Sequence, residues 1–374
     1  ESYLFDLAEW SNSNRFEHHA TYPGSQQGVL AVRSDKDRRI TIGDDEARRP
    51  RCGRREGFAL SLLVALAFAA GCRTEPELAP PRDVVLIVVD TLRADHVGAY
   101  GYPLPTTPFL DSLAERGTVF ENAFAPSSHT APSHASMFTS LYPESHGVLR
   151  NGAPLRGEGV TTLAEALRDR GFATALFPSV NFLSELAEGF EHVEHWVWTD
   201  RPDYRRAAAT VQTAIDWLES TRERPSVFLV VHLYDVHDHS PRSSPPVSQM
   251  NRIRRAMRDD GEPFRRHVEL VEPEPEKIGS LRRQFLRYDA QLAYVDLEIA
   301  RLYEAFGRLR GHEETLWIVT SDHGEGLGDH GLVGHGQHLY NEQLRVPLIV
   351  HAPSWDRPAA RVPQLVRLID LFPT

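Results

Sequence analysis

Cysteine is scarce in this sequence, which has only Cys52 and Cys72 among its 374 residues. A network of disulfide bonds is therefore excluded as the source of its stability. Positive charge is also in deficit, because 52 Asp and Glu residues outnumber 41 Lys and Arg residues and give a net charge of −11. An acidic chain does not attract phosphate backbones, so we expect no nucleic-acid partner. The 41% of apolar residues is typical of a globular protein.

Long apolar runs are also few, and the most apolar one, Phe58–Ala70, is too short to span a bilayer comfortably. Three arginines precede it between residues 51 and 55, and Ala69-Ala70-Gly71-Cys72 ends it. A basic region, a short apolar region and a small-residue cleavage site make up a secretory signal. The last four residues resemble a bacterial lipobox. We therefore expect a lipoprotein signal peptide at residues 51–72, with lipid on Cys72, rather than an anchor helix or a buried helix.

The segments around this signal fit the same interpretation. Residues 73–82 are rich in Pro and Glu and are typical of a tether. Residues 1–50 have no helical or strand period and precede a segment that should itself be N-terminal, so we expect them not to be part of the mature protein. The catalytic domain would then cover residues 83–374. Its expected location is the bacterial periplasm or cell surface, with the membrane bound through lipidated Cys72.

From Asp83 onward, predicted strands and helices alternate as in βαβ units. The apolar strands show little alternation, which indicates that they are covered on both faces. We therefore predict an α/β fold with a doubly wound, largely parallel sheet between helices. A Pro-, Arg- and Glu-rich segment at 240–277 breaks the pattern and is expected to be a long surface excursion. The predicted strands are 84–89, 118–124, 173–177, 226–232, 315–321 and 346–351, and the predicted helices are 107–116, 133–140, 161–170, 205–220 and 280–308.

Two of the apolar strands end in metal-ligand side chains. Asp90 closes the first strand, and Asp322-His323 closes another. Ligands of open α/β sheets bind beyond the carboxyl ends of the strands. A carboxylate alone could equally be a helix cap, but an oxygen and a nitrogen from adjacent residues are a stronger signal. We expect these side chains to meet at one divalent cation.

Thr130 lies between these strands in sequence, just before a predicted short helix. A helix N-terminus stabilises anions, and a divalent metal ion would favour the alkoxide of a threonine hydroxyl. Without the metal ligands, a simple capping role would be the better explanation for Thr130.

Further polar candidates follow two of the strands. Tyr234–His239 contains two imidazoles and two carboxylates, and His237 could donate a proton to a leaving group or bind an oxyanion. Incidental histidines on a solvated loop are the alternative. The glycine-rich segment Gly324–Gly336 lacks the spacing and terminal lysine of a phosphate-binding loop.

These motifs together resemble the sulfatase family of the alkaline phosphatase superfamily, from about Asp83 to Thr374. The resemblance implies that Asp90, Asp322 and His323 bind the metal ion and that Thr130 is a nucleophile touching it. It implies anion binding or proton transfer for His237 and His335, and a small C-terminal subdomain that is absent here. The segments that carry the resemblance are Asp90–His96, Thr130–Thr139, Tyr142–Gly147, Tyr288–Asp296, Ser321–Glu325 and Leu344–Ile349.

Two departures from the family pattern affect the chemistry. Sulfatases carry Cys or Ser at the nucleophile position, modified to formylglycine, and Arg four residues on. This sequence has Thr130 and His134 there, and His134 is accordingly a catalytic candidate. Oxidation of a secondary alcohol gives a ketone, so we expect no formylglycine. Within the superfamily, a threonine nucleophile implies phosphodiesterases, phosphonate-related enzymes or membrane phosphoryl transferases.

The predicted function is a metal-dependent hydrolase of anionic sulfate or phosphate esters that forms a covalent intermediate on Thr130. The alternatives are a phosphoryl-group transferase to lipid or glycan, and a catalytically inactive sulfatase-like binding protein. One divalent ion is expected, either Ca²⁺, Mg²⁺, Mn²⁺ or Zn²⁺, and the imidazole favours the last two. A second ion is conceivable, and its candidate ligands are Asp235, His237, His239 and His335. The sequence leaves the oligomeric state open.

Overall fold

The computed structural model describes residues 80–155, 159–195, 204–239, 245–259, 262–271, 275–355 and 358–372. The predictions for residues 1–50, for the signal peptide with Cys72 and for most of the tether lie outside these ranges. At the end of the tether, Pro81 is buried and the Arg82 side chain pairs with Glu314. The folded domain therefore begins slightly before Asp83.

A mixed sheet of nine strands forms the centre of the described domain. Its order is β11-β2-β10-β6-β1-β5-β3-β4, and β9 pairs with β2. The ladders on β1 and β3 and the β11–β2 ladder are parallel, whereas β10 and β9 run antiparallel to their neighbours. The predicted doubly wound, largely parallel α/β architecture is confirmed. The strands are β1 (Asp83–Val89), β2 (Thr118–Phe124), β3 (Ala173–Phe177), β4 (His192–Val193), β5 (Val227–Leu233), β6 (Thr315–Thr320), β7 (Gly326–Leu327), β8 (Val333–Gly334), β9 (Arg345–Val346), β10 (Leu348–His351) and β11 (Ala360–Arg367), with β7 and β8 forming a separate hairpin.

Helices pack around this sheet. None of those in the described ranges is long and apolar enough to cross a membrane. The α-helices are α1 (Pro108–Ala114), α2 (Thr130–Thr139), α3 (Pro143–His146), α4 (Leu163–Arg168), α5 (Ala207–Ser220), α6 (Val247–Asp259), α7 (Glu262–Val271), α8 (Pro275–Arg310) and α9 (Asn341–Leu344). Short 3₁₀ segments lie at Ala94–His96, Gly98–Tyr100, Asn181–Leu186, Asp235–His237, Asp329–Gly331, Pro353–Trp355 and Leu368–Leu371.

Strands β1, β5 and β6 form the parallel centre of the sheet, and every residue in them is buried. Val88 of β1 is in register with His232 of β5 and with Thr320 of β6. The three strands therefore end at the same edge, where polar residues that follow them can meet.

The described part of the segment 240–277, predicted as a surface excursion, is mostly helical. Met250, Ile253 and Met257 recur at helical spacing along α6 and pack against the core, with Ile253 fully buried. Val268 of α7 is buried as well. Charged residues surround these few apolar positions, which is why the sequence did not indicate the helices.

Helix α8 connects the core to the loops that follow β1 and β5. The Tyr288 hydroxyl donates to the Thr91 carbonyl at 2.8 Å and accepts from the Arg93 N–H at 2.9 Å. One turn later, the Gln291 amide donates to the Asp238 carbonyl at 3.1 Å. A single rigid helix thus holds both loops by their backbones.

We expect the substitution Tyr288→Phe to lower the free energy of unfolding by about 2 kcal/mol, because it leaves two buried backbone groups without partners. Urea denaturation monitored by circular dichroism measures this free energy. The control is Tyr340→Phe, on a ring that is 42% exposed, for which we expect a change within about 0.5 kcal/mol. Equal stability of the two variants would contradict the assigned role of Tyr288.

Candidate active site

The four side chains expected at the metal ion converge at the carboxyl edge of the sheet. Asp90 follows β1, Asp322 and His323 follow β6, and all three are fully buried. Thr130 is 2% exposed, and its hydroxyl lies 3.4 Å from Asp90 Oδ2 and 3.4 Å from His323 Nε2. Helix α2 begins at Thr130 itself, three residues earlier than predicted, so the hydroxyl stands on the first helical residue.

Each carboxylate has one oxygen held by the protein and one left bare. Asp322 Oδ1 accepts hydrogen bonds from the N–H groups of Thr91, at 3.3 Å, and His323, at 2.9 Å. Asp90 Oδ2 faces the Thr130 hydroxyl and the His232 imidazole, whose Nε2 lies 3.2 Å away. Asp322 Oδ2 and Asp90 Oδ1 are buried without a hydrogen-bond partner among the described residues. Bare buried carboxylate oxygens are what a cation site requires.

The imidazole of His323 is oriented as a metal ligand would be. Its Nδ1 donates to the carbonyl of Gly324 at 2.9 Å, which leaves the lone pair of Nε2 free to face Thr130. One potential ligand atom from each of Asp90, Asp322 and His323 lies within 4.8 Å of the others. The residues present therefore fit a divalent cation with mixed oxygen and nitrogen ligands.

The electrostatics point to the same need for a cation. Burial raises the pKa of Asp90 well above its usual value, and the Asp322 carboxylate raises it further. Burial lowers the pKa of His323 to about 3, so its ring is neutral at physiological pH. Because the imidazole is neutral and the site is dry, both carboxylates can be ionised only when a positive charge lies between them.

The backbone between Asp90 and Leu92 is strained. Thr91 has a φ of +57°, in the left-handed region that a β-branched residue rarely adopts. Its N–H reaches Asp322 Oδ1, and its hydroxyl donates to the Asp90 carbonyl at 2.7 Å. The strain thus accompanies a turn that brings the two carboxylate loops together. No feature of the sequence signals this conformation.

His134 lies behind Thr130. Its ring is fully buried, and its Nδ1 donates to the Thr130 carbonyl at 2.8 Å and lies 3.8 Å from Asp322 Oδ2. Burial lowers its pKa to about 4, so it supplies no positive charge at neutral pH. The structure therefore places the His134 ring against the backbone of Thr130.

His237 and His335 lie next to each other, and His335 also contacts His323. Their ring centroids are 5.0 Å apart, and those of His335 and His323 are 4.5 Å apart. Nε2 of His237 hydrogen-bonds with the Tyr234 hydroxyl at 3.1 Å, and Nδ1 of His335 lies 3.2 Å from Glu325 Oε2.

The pKa values of these two imidazoles move apart. Burial, together with the neighbouring histidines, lowers the pKa of His237 well below its usual value. Burial also lowers the pKa of His335, but the hydrogen bond and the charge of Glu325 outweigh this and raise it overall. The paired histidines therefore offer one better proton donor, His335, and one better acceptor, His237.

The residues suggested for a second ion do not form a comparable group. Asp235 accepts a hydrogen bond from the Ala207 N–H at 2.7 Å and forms an ion pair with Arg206 at 2.8 Å. Its carboxylate therefore caps the N-terminus of helix α5. The His239 ring packs edge-on against Tyr288. Among the described residues, Asp90, Asp322 and His323 are the only group of three potential ligands this close together.

Two site residues were missed by the sequence reasoning. His232 is the single polar residue in the apolar strand β5, and that interruption could have identified it. Glu325 is 2% exposed and supports His335. Its position two residues after His323 was the available signal.

Comparison with known proteins extends these observations. Residues 82–374 match the family model described as Sulfatase. The chain is 28% identical to the uncharacterized sulfatase YidJ of Escherichia coli, over 78% of this chain and 66% of that protein. It is 26% identical to the multifunctional alkaline phosphatase superfamily protein PehA of Trinickia caryophylli, over 78% and 73% of the two chains.

A solved structure shares the fold. The phosphonate monoester hydrolase of Agrobacterium radiobacter matches with a TM-score of 0.60 and 23% identity, over 79% of this chain and 72% of that one. The family model covers well over half of the chain, while the alignment spans slightly less than two thirds of YidJ. The chain belongs to the sulfatase family of ester hydrolases, within the alkaline phosphatase superfamily.

Proposed function

We propose that this protein hydrolyses sulfate or phosphate esters, with Thr130 as the nucleophile and a covalent ester on its oxygen as the intermediate. The observation that carries the proposal is the position of the Thr130 hydroxyl, 3.4 Å from both Asp90 and His323. The names of the relatives, a sulfatase, a multifunctional superfamily member and a phosphonate monoester hydrolase, support both kinds of ester.

Asp90, Asp322 and His323 would hold one divalent cation beside Thr130. When bound, such an ion lowers the pKa of an adjacent hydroxyl and polarises the ester. The protein contributes by fixing its ligands in a dry site and by standing Thr130 at the N-terminus of the ten-residue helix α2. That helix end favours negative charge on the attacking oxygen and on the anionic ester.

The reaction would proceed in two steps. The Thr130 hydroxyl passes its proton to Asp90 Oδ2, which lies 3.4 Å away, and its oxygen forms a bond to phosphorus or sulfur while the bond to the ester oxygen breaks. The leaving oxygen takes a proton from His335, which is held by Glu325 beside His237. Water then attacks the covalent intermediate and gives a proton to His335, and the Thr130 oxygen recovers its proton from Asp90 as the anion leaves. Release to an alcohol instead of water would make the enzyme a transferase.

We expect Thr130→Val to lower kcat/KM by at least about 1,000-fold, because removing the nucleophile of a covalent mechanism costs that much or more. Thr130→Ser keeps the hydroxyl and should retain most of the activity. Thr139→Ala, at the other end of the same helix, is the control. Esters labelled with ³²P or ³⁵S, quenched early and analysed by peptide mapping, should label the Thr130 peptide and identify the transferred group.

Full activity of Thr130→Val would overturn the nucleophile assignment. Absence of turnover by the wild-type protein on every ester, with retained ligand binding, would favour the inactive binding protein. Adding an alcohol acceptor distinguishes a hydrolase from a transferase, since only a transferase forms the new ester as its main product.

Metal binding can be tested without a substrate. We expect Mn²⁺ or Zn²⁺, at 100 times its dissociation constant, to stabilise the metal-free protein by about 2.7 kcal/mol and so raise its melting temperature. Asp322→Asn should abolish this shift, whereas Asp216→Asn on the exposed face of α5 should preserve it. A wild-type protein whose melting temperature responds to none of Ca²⁺, Mg²⁺, Mn²⁺ and Zn²⁺ would rule out the metal site.

We further propose export and lipid attachment at Cys72, on the strength of the signal-like segment 51–72. The full chain, expressed in a bacterium fed radiolabelled palmitate, should incorporate label and sediment with membranes. Cys72→Ala should do neither, whereas Cys52→Ala should behave as wild type. Labelling of Cys72→Ala at the wild-type level would refute the lipidation site.

A further inference from the structure

We propose that His232 is a positioning residue that sets the orientation of the metal ligand Asp90. This inference rests on the proposed metal-dependent function and adds a residue to it. His232 lies in β5, where it interrupts six apolar residues and is fully buried. Burying an imidazole there costs free energy unless it forms a hydrogen bond, so its contacts indicate its function.

The register of the sheet places His232 beside Asp90. His232 is opposite Val88, and side chains two apart on a strand point to the same face. Asp90 comes two residues after Val88, and its backbone N–H still donates to the Leu233 carbonyl at 2.9 Å. The imidazole therefore stands on the same face as the Asp90 carboxylate, one strand away.

The contact itself is a hydrogen bond from His232 Nε2 to Asp90 Oδ2, at 3.2 Å. Because a carboxylate accepts, Nε2 carries the proton and is not free to bind a cation. The His134 ring packs edge-on against His232, with centroids 5.0 Å apart, and restricts its rotation. Asp90 Oδ1, the other carboxylate oxygen, is then the one left bare.

Asp90 depends on this bond more than Asp322 depends on any single partner. Two backbone N–H groups hold Asp322 Oδ1. The described partners of the Asp90 carboxylate are both side chains, His232 and Thr130. The Thr130 proton is lost when its oxygen attacks, so His232 is the donor that remains throughout the reaction. Such supporting partners of metal ligands typically change metal affinity by about 10- to 100-fold.

The test compares two amide substitutions that differ in where the N–H stands. Gln can place its amide nitrogen near the position of Nε2, whereas Asn cannot reach it. We expect His232→Asn to raise the dissociation constant for Mn²⁺ by about 10- to 100-fold and His232→Gln to stay within about threefold of wild type. Titration calorimetry on metal-free protein, with Mn²⁺ as the probe, measures this without turnover. His351→Gln, in a buried imidazole that donates to the Arg116 carbonyl, is the control.

A purely structural role would lower the metal-free melting temperature of His232→Gln and His232→Asn alike and leave their Mn²⁺ affinities equal. That result would overturn the proposal. His232→Leu is a second variant without a donor at the position of Nε2, so either it or the Asn variant carries the test if the other fails to fold. Loss of binding in Asp90→Asn with no change in His232→Asn and His232→Leu would also refute the role of His232. Unchanged binding in Asp90→Asn and Asp322→Asn would instead overturn the proposed metal site itself.

Discussion

Repulsion between two buried carboxylates is the constraint around which this site is arranged. Asp90 and Asp322 are both fully buried, and each offers a ligand atom within 4.8 Å of the other. Such a pair is unfavourable in a folded chain unless a cation compensates it. The protein holds one oxygen of each carboxylate by hydrogen bonds and leaves the other bare. The fold therefore keeps the two carboxylates close together despite their repulsion, as expected for side chains whose position is needed for function.

The parts of the site that follow from strand order could be predicted from the sequence. Asp90 and Asp322-His323 were found because apolar strands of a parallel sheet end at one edge, and a polar residue at such an end stands out. The fold class followed from the same runs. Thr130 was identified through its position between those strands and through the family motif.

Other parts depend on tertiary contacts that a local pattern does not encode. The left-handed conformation of Thr91 is imposed by bonds to Asp322 and Tyr288, which lie about two hundred residues away in sequence. His232 acquires its use only when β5 pairs with β1. The helices at 247–271 were missed because few apolar residues define their buried face, and tertiary packing against α8 stabilises them.

Helix α8 holds the backbone beside Asp90 and the backbone beside His237 through residues one turn apart, Tyr288 and Gln291. The distance between the loop that contains Asp90 and the loop that contains His237 is therefore fixed by one turn of this helix. Inserting a single residue between these positions would rotate one anchor by about 100° relative to the other, since a helix turns once in 3.6 residues. Length changes at this point of the chain should thus be far less tolerated than substitutions.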